Sequence, residues 1–332
     1  MILFELTRDG KVNEIKSLPE NVYLSCAFGC FDGVHVGHLA LLNAAIESAE
    51  RLSSKTGASV APAIWTFDRP AAKPWIISVP ERLSICGKTG IKYAICEDFE
   101  QIRDLAPDDF IASLAKKNRL LHAVCGYNFR FGKNRSGDHE SLSVSLSRAL
   151  AINTPTPISK ICSEAPVTVI DEISALGEAV SSTRIRALIN QGDVESARVL
   201  LGRPYSLTGT ILPGKQLGRT LSRPTANLRY SGDQLVPKHG VYFTLCKLNG
   251  ECYRSVTNIG YRPTVNKDER DITCEAHILD FKESIYGETV EIQFHKYARG
   301  EIAFPDINAL SNQITKDVNA ATAYFSRLNS EK

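Results

Sequence analysis

The first half of the chain alternates short apolar runs with stretches of helical periodicity. Val22-Tyr23-Leu24-Ser25-Cys26-Ala27-Phe28 is apolar almost throughout and predicts a buried strand. After a Gly-rich turn, Leu39, Leu42, Ala45, Ile46 and Ala49 recur at helical spacing. Residues 60–67 predict the next strand, weakened by Pro62. Strand, helix, strand in that order favours a parallel sheet wrapped by helices. Further strands are expected at 93–96, 122–125 and 167–170, with helices at 107–117 and 183–201.

The pattern changes after Gly202-Arg203-Pro204. Helical periodicity largely gives way to short alternating strands. Residues 241–248 and 251–259 flank Asn249-Gly250, a strong two-residue hairpin signal. Strands are expected at 272–281 and 289–297, with Tyr286-Gly287 near the turn between them. Leu310, Ile314, Val318, Ala321, Phe325 and Leu328 then form one stripe of an amphipathic helix. This half predicts a small antiparallel barrel closed by a terminal helix. The expected division is a first domain over 1–200 and a second over 201–328, with no repeat joining them.

Composition narrows the choice of partners. Lys plus Arg number 39 against 37 acids, a formal net charge of +2. A nonspecific nucleic-acid binder would be more basic, so small anionic ligands held by a few local cations fit better. The nine cysteines are an odd number with no Cys-x-x-Cys pair, which reads as free thiols in a reducing cytosol. Charged residues interrupt the N-terminal apolar stretch, and no run approaches the ~20 apolar residues of a membrane span. A cytoplasmic protein that binds neither nucleic acid nor membrane is expected. Nothing in the sequence opposes assembly as a homo-oligomer.

The turn after the first strand, Gly29-Cys30-Phe31-Asp32-Gly33-Val34-His35-Val36-Gly37-His38, carries the sharpest chemistry. Gly29, Gly33 and Gly37 let the backbone turn tightly and approach a polyphosphate. The unpaired amides at the start of the following helix point at an anion, and the helix dipole favours it. His35 and His38 are three positions apart, so one turn aims both rings at one phosphate. Such a site suits nucleotidyl transfer, where the protein positions the reactants and stabilises charge. Zinc is the competing use of two histidines, but no third ligand stands nearby. Asn128-Phe129-Arg130-Phe131-Gly132 follows another predicted strand, and Ser181-Ser182-Thr183-Arg184-Ile185-Arg186 opens a helix. Ser182 or Thr183 as a plain helix cap is the alternative to a second phosphate clamp.

The second half offers a weaker constellation. Gly214 and Gly218 supply a backbone that can fold over phosphates, with Lys215 or Arg219 for charge. Thr225 and Asn227 share one face of an extended segment, and their oxygens suit a Mg²⁺ that keeps ATP and water ligands. A polar turn after Pro224 is the simpler reading of the same residues. Glu275 lies inside an apolar strand, where glutamate is disfavoured, and shares a face with His277. That face is either solvated or lines a site with Glu275 as general base.

These motifs resemble a known pair of modules. Phe31 to His38, Asn128 to Gly132 and Ser181 to Arg186 are similar to the FMN adenylyltransferase module of prokaryotic FAD synthetases. The second half resembles a riboflavin kinase through Gly202-Arg203-Pro204-Tyr205, Pro224-Thr225-Ala226-Asn227, Asn258-Ile259-Gly260, Glu275-Ala276-His277 and Arg299. The resemblance implies a Rossmann-like α/β nucleotidyltransferase domain followed by a six-stranded antiparallel barrel with a C-terminal helix. It implies that Gly29, Phe31, Asp32, Gly33, His35, Gly37, His38, Asn128, Ser182, Thr183 and Arg186 form an ATP site, with His35 and His38 catalytic. In the kinase, Gly214, Gly218, Arg219, Thr225 and Asn227 would hold ATP, and Thr225 and Asn227 the Mg²⁺. Glu275 would be the base toward the ribityl hydroxyl, with Arg299 near the flavin. ATP, riboflavin, FMN and FAD are then substrates and products. The alternatives are one working half, or a noncatalytic flavin-binding regulator on the same fold. Two departures from the family pattern stand beside the sites: Arg69-Pro70-Ala71 in place of Pro-His-Pro, and Ser222-Arg223 in place of a glycine and an apolar residue.

Overall fold

A parallel sheet forms where the first-half pattern predicts one, in a computed structural model that describes residues 1–68, 74–213, 225–262, 271–281 and 283–330. The departures at 69–71 and 222–223, together with Gly214, Gly218 and Arg219, lie outside the described residues. Two compact units, Met1–Ser182 and Thr183–Lys332, make up the chain.

The first unit contains strands β1 (Ile2–Leu6), β2 (Val12–Ile15), β3 (Val22–Phe28), β4 (Ser59–Phe67), β5 (Tyr93–Glu97), β6 (Leu120–Gly126) and β7 (Val167–Ile170). They are ordered β2-β1-β5-β4-β3-β6-β7. β3 to β7 pair in parallel, and β1 adds an antiparallel edge with β2 beyond it. The helices are α1 (Val36–Thr56), α2 (Val79–Thr89), α3 (Phe99–Ile102), α4 (Pro107–Asn118), α5 (His139–Asn153) and α6 (Thr156–Ser163). A short hairpin of β8 (Ser174–Ala175) and β9 (Glu178–Ala179) follows β7. The chain steps from β3 outward to β4 and β5, then returns to place β6 on the other side of β3. That reversal opens a crevice beyond the carboxyl ends of β3 and β6, where open α/β sheets bind ligands.

Pro62 sits inside β4 without breaking it. Its carbonyl accepts the Lys92 N–H at 2.9 Å, on the side where β5 pairing starts only at Tyr93. The missing donor therefore falls just outside the ladder.

His122 on β6 is one of several polar residues buried in this sheet, with Ser25 on β3 and Thr66 on β4. His122 is 1% exposed, with Nδ1 3.2 Å from Ser25 Oγ and Nε2 3.1 Å from Thr168 Oγ1. Burial lowers its pKa from 6.5 to about 4, helped by the Arg51 charge. The folded state therefore holds the ring neutral while the unfolded chain takes up a proton below about pH 6.5. Stability from this site is complete above that pH and is lost as pH falls toward 4, by roughly 3 kcal/mol in all. Urea unfolding of wild type and His122→Asn between pH 4 and 7 checks this: the variant should show a much flatter pH dependence over that window.

The second unit starts with α7 (Ser182–Gln191, its first residue in the unit before) and α8 (Val194–Leu201). The single helix expected over 183–201 is thus two. Gly192 takes a φ of +85° between them, and the Asp193 carboxylate accepts the Ser196 N–H at 3.0 Å to start α8 afresh. The barrel strands are β10 (Tyr205–Leu212), β11 (Ala226–Tyr230), β12 (Gly240–Leu248), β13 (Glu251–Arg262), β14 (Asp271–Ile278) and β15 (Thr289–Arg299), closed in the order β10-β11-β14-β13-β12-β15. Asn249 and Gly250 take φ values of 51° and 89°, as a type I′ turn requires. β14 stops at Ile278, short of the expected end at 281, because Asp280 turns left-handed at φ 58°. Helix α9 (Ile307–Ser330) lays Ala321 and Phe325 on Phe243, outside the barrel.

Candidate active sites

The turn between β3 and α1 is strained and inward-anchored. Phe31, Gly33 and Val34 take φ values of 49°, 86° and 38°. Left-handed backbone is costly for a β-branched residue, and such strain collects at functional sites. The Phe31 and Val34 side chains are fully buried and hold the turn from within. Asp32 Oδ1 accepts the Ile76 N–H at 2.9 Å, and its main-chain carbonyl accepts the Ser182 hydroxyl at 2.8 Å. Asp32 thus shapes the loop through its neighbours' backbone, and Ser182 binds that loop.

His35 is the N-cap of α1, with its Nδ1 accepting the His38 N–H at 3.2 Å. The His38 Nδ1 accepts the His35 N–H in return, at 3.4 Å. Both Nδ1 lone pairs are therefore used, so each neutral ring carries its proton on Nε2. The rings stack with centroids 3.6 Å apart, at 14°. Two parallel Nε2–H donors stand at the mouth of a 21-residue helix. Gly37 makes this possible, because a Cβ there would lie 3.2 Å from the His35 ring.

Asn128 is exposed in the loop after β6, whose strand neighbours β3. The Phe129 ring next to it approaches Phe28 at 5.9 Å, which fixes that loop at the same end of the sheet. Gly29 links β3 to the turn, and its N–H donates to the Trp65 carbonyl at 3.2 Å. Thr183 and Arg186 lie on α7, in the second compact unit.

Sequence reasoning misses Arg82, a fully buried residue on α2. It donates from Nη1 to Thr66 Oγ1 at 3.0 Å and to the Phe67 carbonyl at 3.1 Å. The available signal was a basic residue on the face of α2 that buries Leu83 and Cys86.

In the second unit, register assembles the polar residues. Asn227 is paired with Glu275, and Glu275 with Asn258, across β11, β14 and β13. Directly opposed residues share a sheet face, with Cβ atoms about 4.5–5.5 Å apart. All three are half-buried, while Cys274, Ala276 and Ile278 take the inner face. Among the described residues, none of these three polar side chains is committed to a hydrogen bond or ion pair. Asn258 is the member that sequence reasoning did not place in the site. Thr225 precedes β11 and borders a cavity of about 220 Å³ with Ile211, Ala276, Phe281 and Tyr286. Arg299 is engaged elsewhere: Nε and Nη2 donate to Asp317 on α9 at 3.1 and 2.7 Å, and Nη1 to the Gly300 carbonyl at 2.9 Å. It ties α9 to the end of β15. No group of three or more His, Cys, Asp or Glu among the described residues could hold a metal by itself.

Comparison with known proteins agrees with both halves. A FAD synthetase family model matches residues 18–184, and a riboflavin kinase family model matches 201–325. A bifunctional riboflavin kinase/FMN adenylyltransferase of Listeria monocytogenes is 32% identical over 313 residues, covering 91% of this chain and 92% of its own. The Bacillus subtilis protein of the same description is 31% identical, with the same coverage. A crystal structure described as a macrolide-efflux protein from Streptococcus pneumoniae superposes with a TM-score of 0.77 at 25% identity, covering 92% of this chain and 96% of that one. No described helix here is long and apolar enough to cross a membrane. With both modules matched in order and a 32% identical relative aligned over 92% of its length, the chain belongs to the bifunctional riboflavin kinase/FMN adenylyltransferase family of enzymes.

Proposed function

We propose that the two reactions of the family are carried by the residues described above, with the functional boundary near residue 200. In the second unit, Glu275 takes the proton of the ribityl hydroxyl. The resulting oxygen attacks the γ-phosphorus of ATP, the bond to ADP breaks, and FMN forms. Asn227 and Thr225 face the nucleotide. In the first unit, an oxygen of the FMN phosphate attacks the α-phosphorus of ATP, and pyrophosphate leaves as FAD forms. The paired Nε2–H donors of His35 and His38 stabilise the charge that builds on that phosphate. Asn128 and Ser182 complete the nucleotide's surroundings within the first unit.

Mg²⁺ fits the donors available. Thr225 and Asn227 offer hard, neutral oxygens, which suits an ion that keeps most of its ligands from phosphate and water. Such an ion would gather and neutralise the phosphates of the bound nucleotide. Arg299 keeps a flavin-facing role only if it acts through the segment it anchors, since its guanidinium is held by Asp317.

The observation that carries this reading is the reciprocal His35–His38 cap at the crevice of a parallel sheet. Purified protein given riboflavin and MgATP should accumulate FMN first and FAD after it, resolved by chromatography. FMN with no FAD would reduce the protein to a kinase. Without FMN, the kinase assignment fails, and adding FMN then tests the other half alone.

A further inference from the structure

The burial of Arg82 is unusual enough to need a reason. Its side chain has no exposure, and its face lies 3.5 Å from the Trp75 ring centroid. Nη1 is satisfied by Thr66 and Phe67, whereas Nε and Nη2 have no hydrogen-bond partner among the described residues. Among the described residues no carboxylate forms a salt bridge with it, and Asp32 is the acid whose charge acts on it through space. Burying a guanidinium with two donors unpaired costs stability, and an apolar residue of similar volume would fill the site more cheaply.

What Arg82 reaches is the phosphate loop. The Thr66 hydroxyl that accepts from Nη1 donates in turn to the Cys30 carbonyl at 3.0 Å. Cys30 immediately precedes the strained residues Phe31 to Val34, and Asp32 holds the Ile76 N–H beside Trp75. A chain of two hydrogen bonds thus runs from α2 through the end of β4 into the turn that presents His35 and His38. The charge also lies in a desolvated setting, where it is screened far less than a surface cation.

We propose that Arg82 is a positioning residue for adenylyl transfer: from beneath the loop it sets the affinity for the nucleotide's polyphosphate, without touching the nucleotide itself. It acts by holding the Cys30 carbonyl through Thr66 and by lending a fixed positive charge to the loop. This inference rests on the adenylyl-transfer reading of the first unit.

The test compares wild type, Arg82→Met and Arg82→Lys as full-length proteins. Inorganic pyrophosphate with Mg²⁺ is the probe, measured by calorimetry, because only adenylyl transfer releases it. Arg82→Met should weaken pyrophosphate binding and raise the KM for ATP in adenylylation of supplied FMN, each about tenfold. Its melting temperature should match or exceed that of wild type. Arg82→Lys should keep both values within about threefold. The KM for ATP in riboflavin phosphorylation is the internal reference and should not change in either variant. A lower melting temperature with both affinities unchanged would make Arg82 a structural brace and overturn the proposal. If Arg82→Met does not fold, Thr66→Val decides, because it cuts the chain of hydrogen bonds and leaves Arg82 in place: pyrophosphate binding within about threefold of wild type in that variant overturns the proposal. Failure of the wild type to make FAD from FMN would instead remove the reading beneath it.

Discussion

Glu275→Gln should lose FMN formation by about 10²–10⁴-fold, the usual worth of a positioned general base, while adenylylating supplied FMN at the wild-type rate. The substitution keeps the length and branching of the side chain and removes only its ability to take a proton. Glu275 sits in the half-buried row between Asn227 and Asn258, so the glutamine should be tolerated there. The barrel core lies behind it in Cys274 and Ala276, which are buried and unaltered. Rates of the two steps, measured separately from riboflavin and from FMN, give the result. Retention of FMN formation within threefold would remove Glu275 as the base. Equal loss of both steps would contradict separate sites.

His38→Ala should lower FAD formation from FMN by about 10²–10³-fold, comparable to removal of one donor from a preorganised anion site. Two things vanish together: an Nε2–H donor and the Nδ1 that accepts the His35 N–H. The His35 ring also loses the partner it stacks on at 3.6 Å, so its own Nε2–H is less well aimed. His38→Gln separates these effects, since its amide can restore a cap without the imidazole. Riboflavin phosphorylation should be untouched by either change. A normal FAD rate in His38→Ala would show that the stacked pair is only a helix cap.

Where the sequence was legible, the reason was local chemistry. Asn249-Gly250 adopts the two positive φ values of its turn type with little help from the rest of the fold. The His-x-Gly-His turn was readable because glycine placement, a preceding strand and a following helix lie within one short stretch. Strand β11 escaped the pattern, and so did Asn258 as a site residue, because both depend on pairing between segments far apart in the chain. Register across β13 and β14 decides which polar residues meet, and periodicity within one strand carries no register. Arg82 was hidden for a similar reason, since its partners Thr66 and Phe67 belong to another element. The break at Gly192 was within reach, as a glycine followed by a capping aspartate is a recognised stop and start.

The barrel closes through β15, which pairs with β10 on one edge and β12 on the other. During synthesis, the sheet of the first unit has every strand in hand once Ile170 has emerged, so adenylyl transfer has its scaffold early. The kinase ring stays open until residue 299 is made. A chain arrested before Thr289 would leave β10 and β12 as bare edges, each seeking a partner strand in another molecule. Premature termination late in translation should therefore yield aggregating fragments rather than a trimmed enzyme.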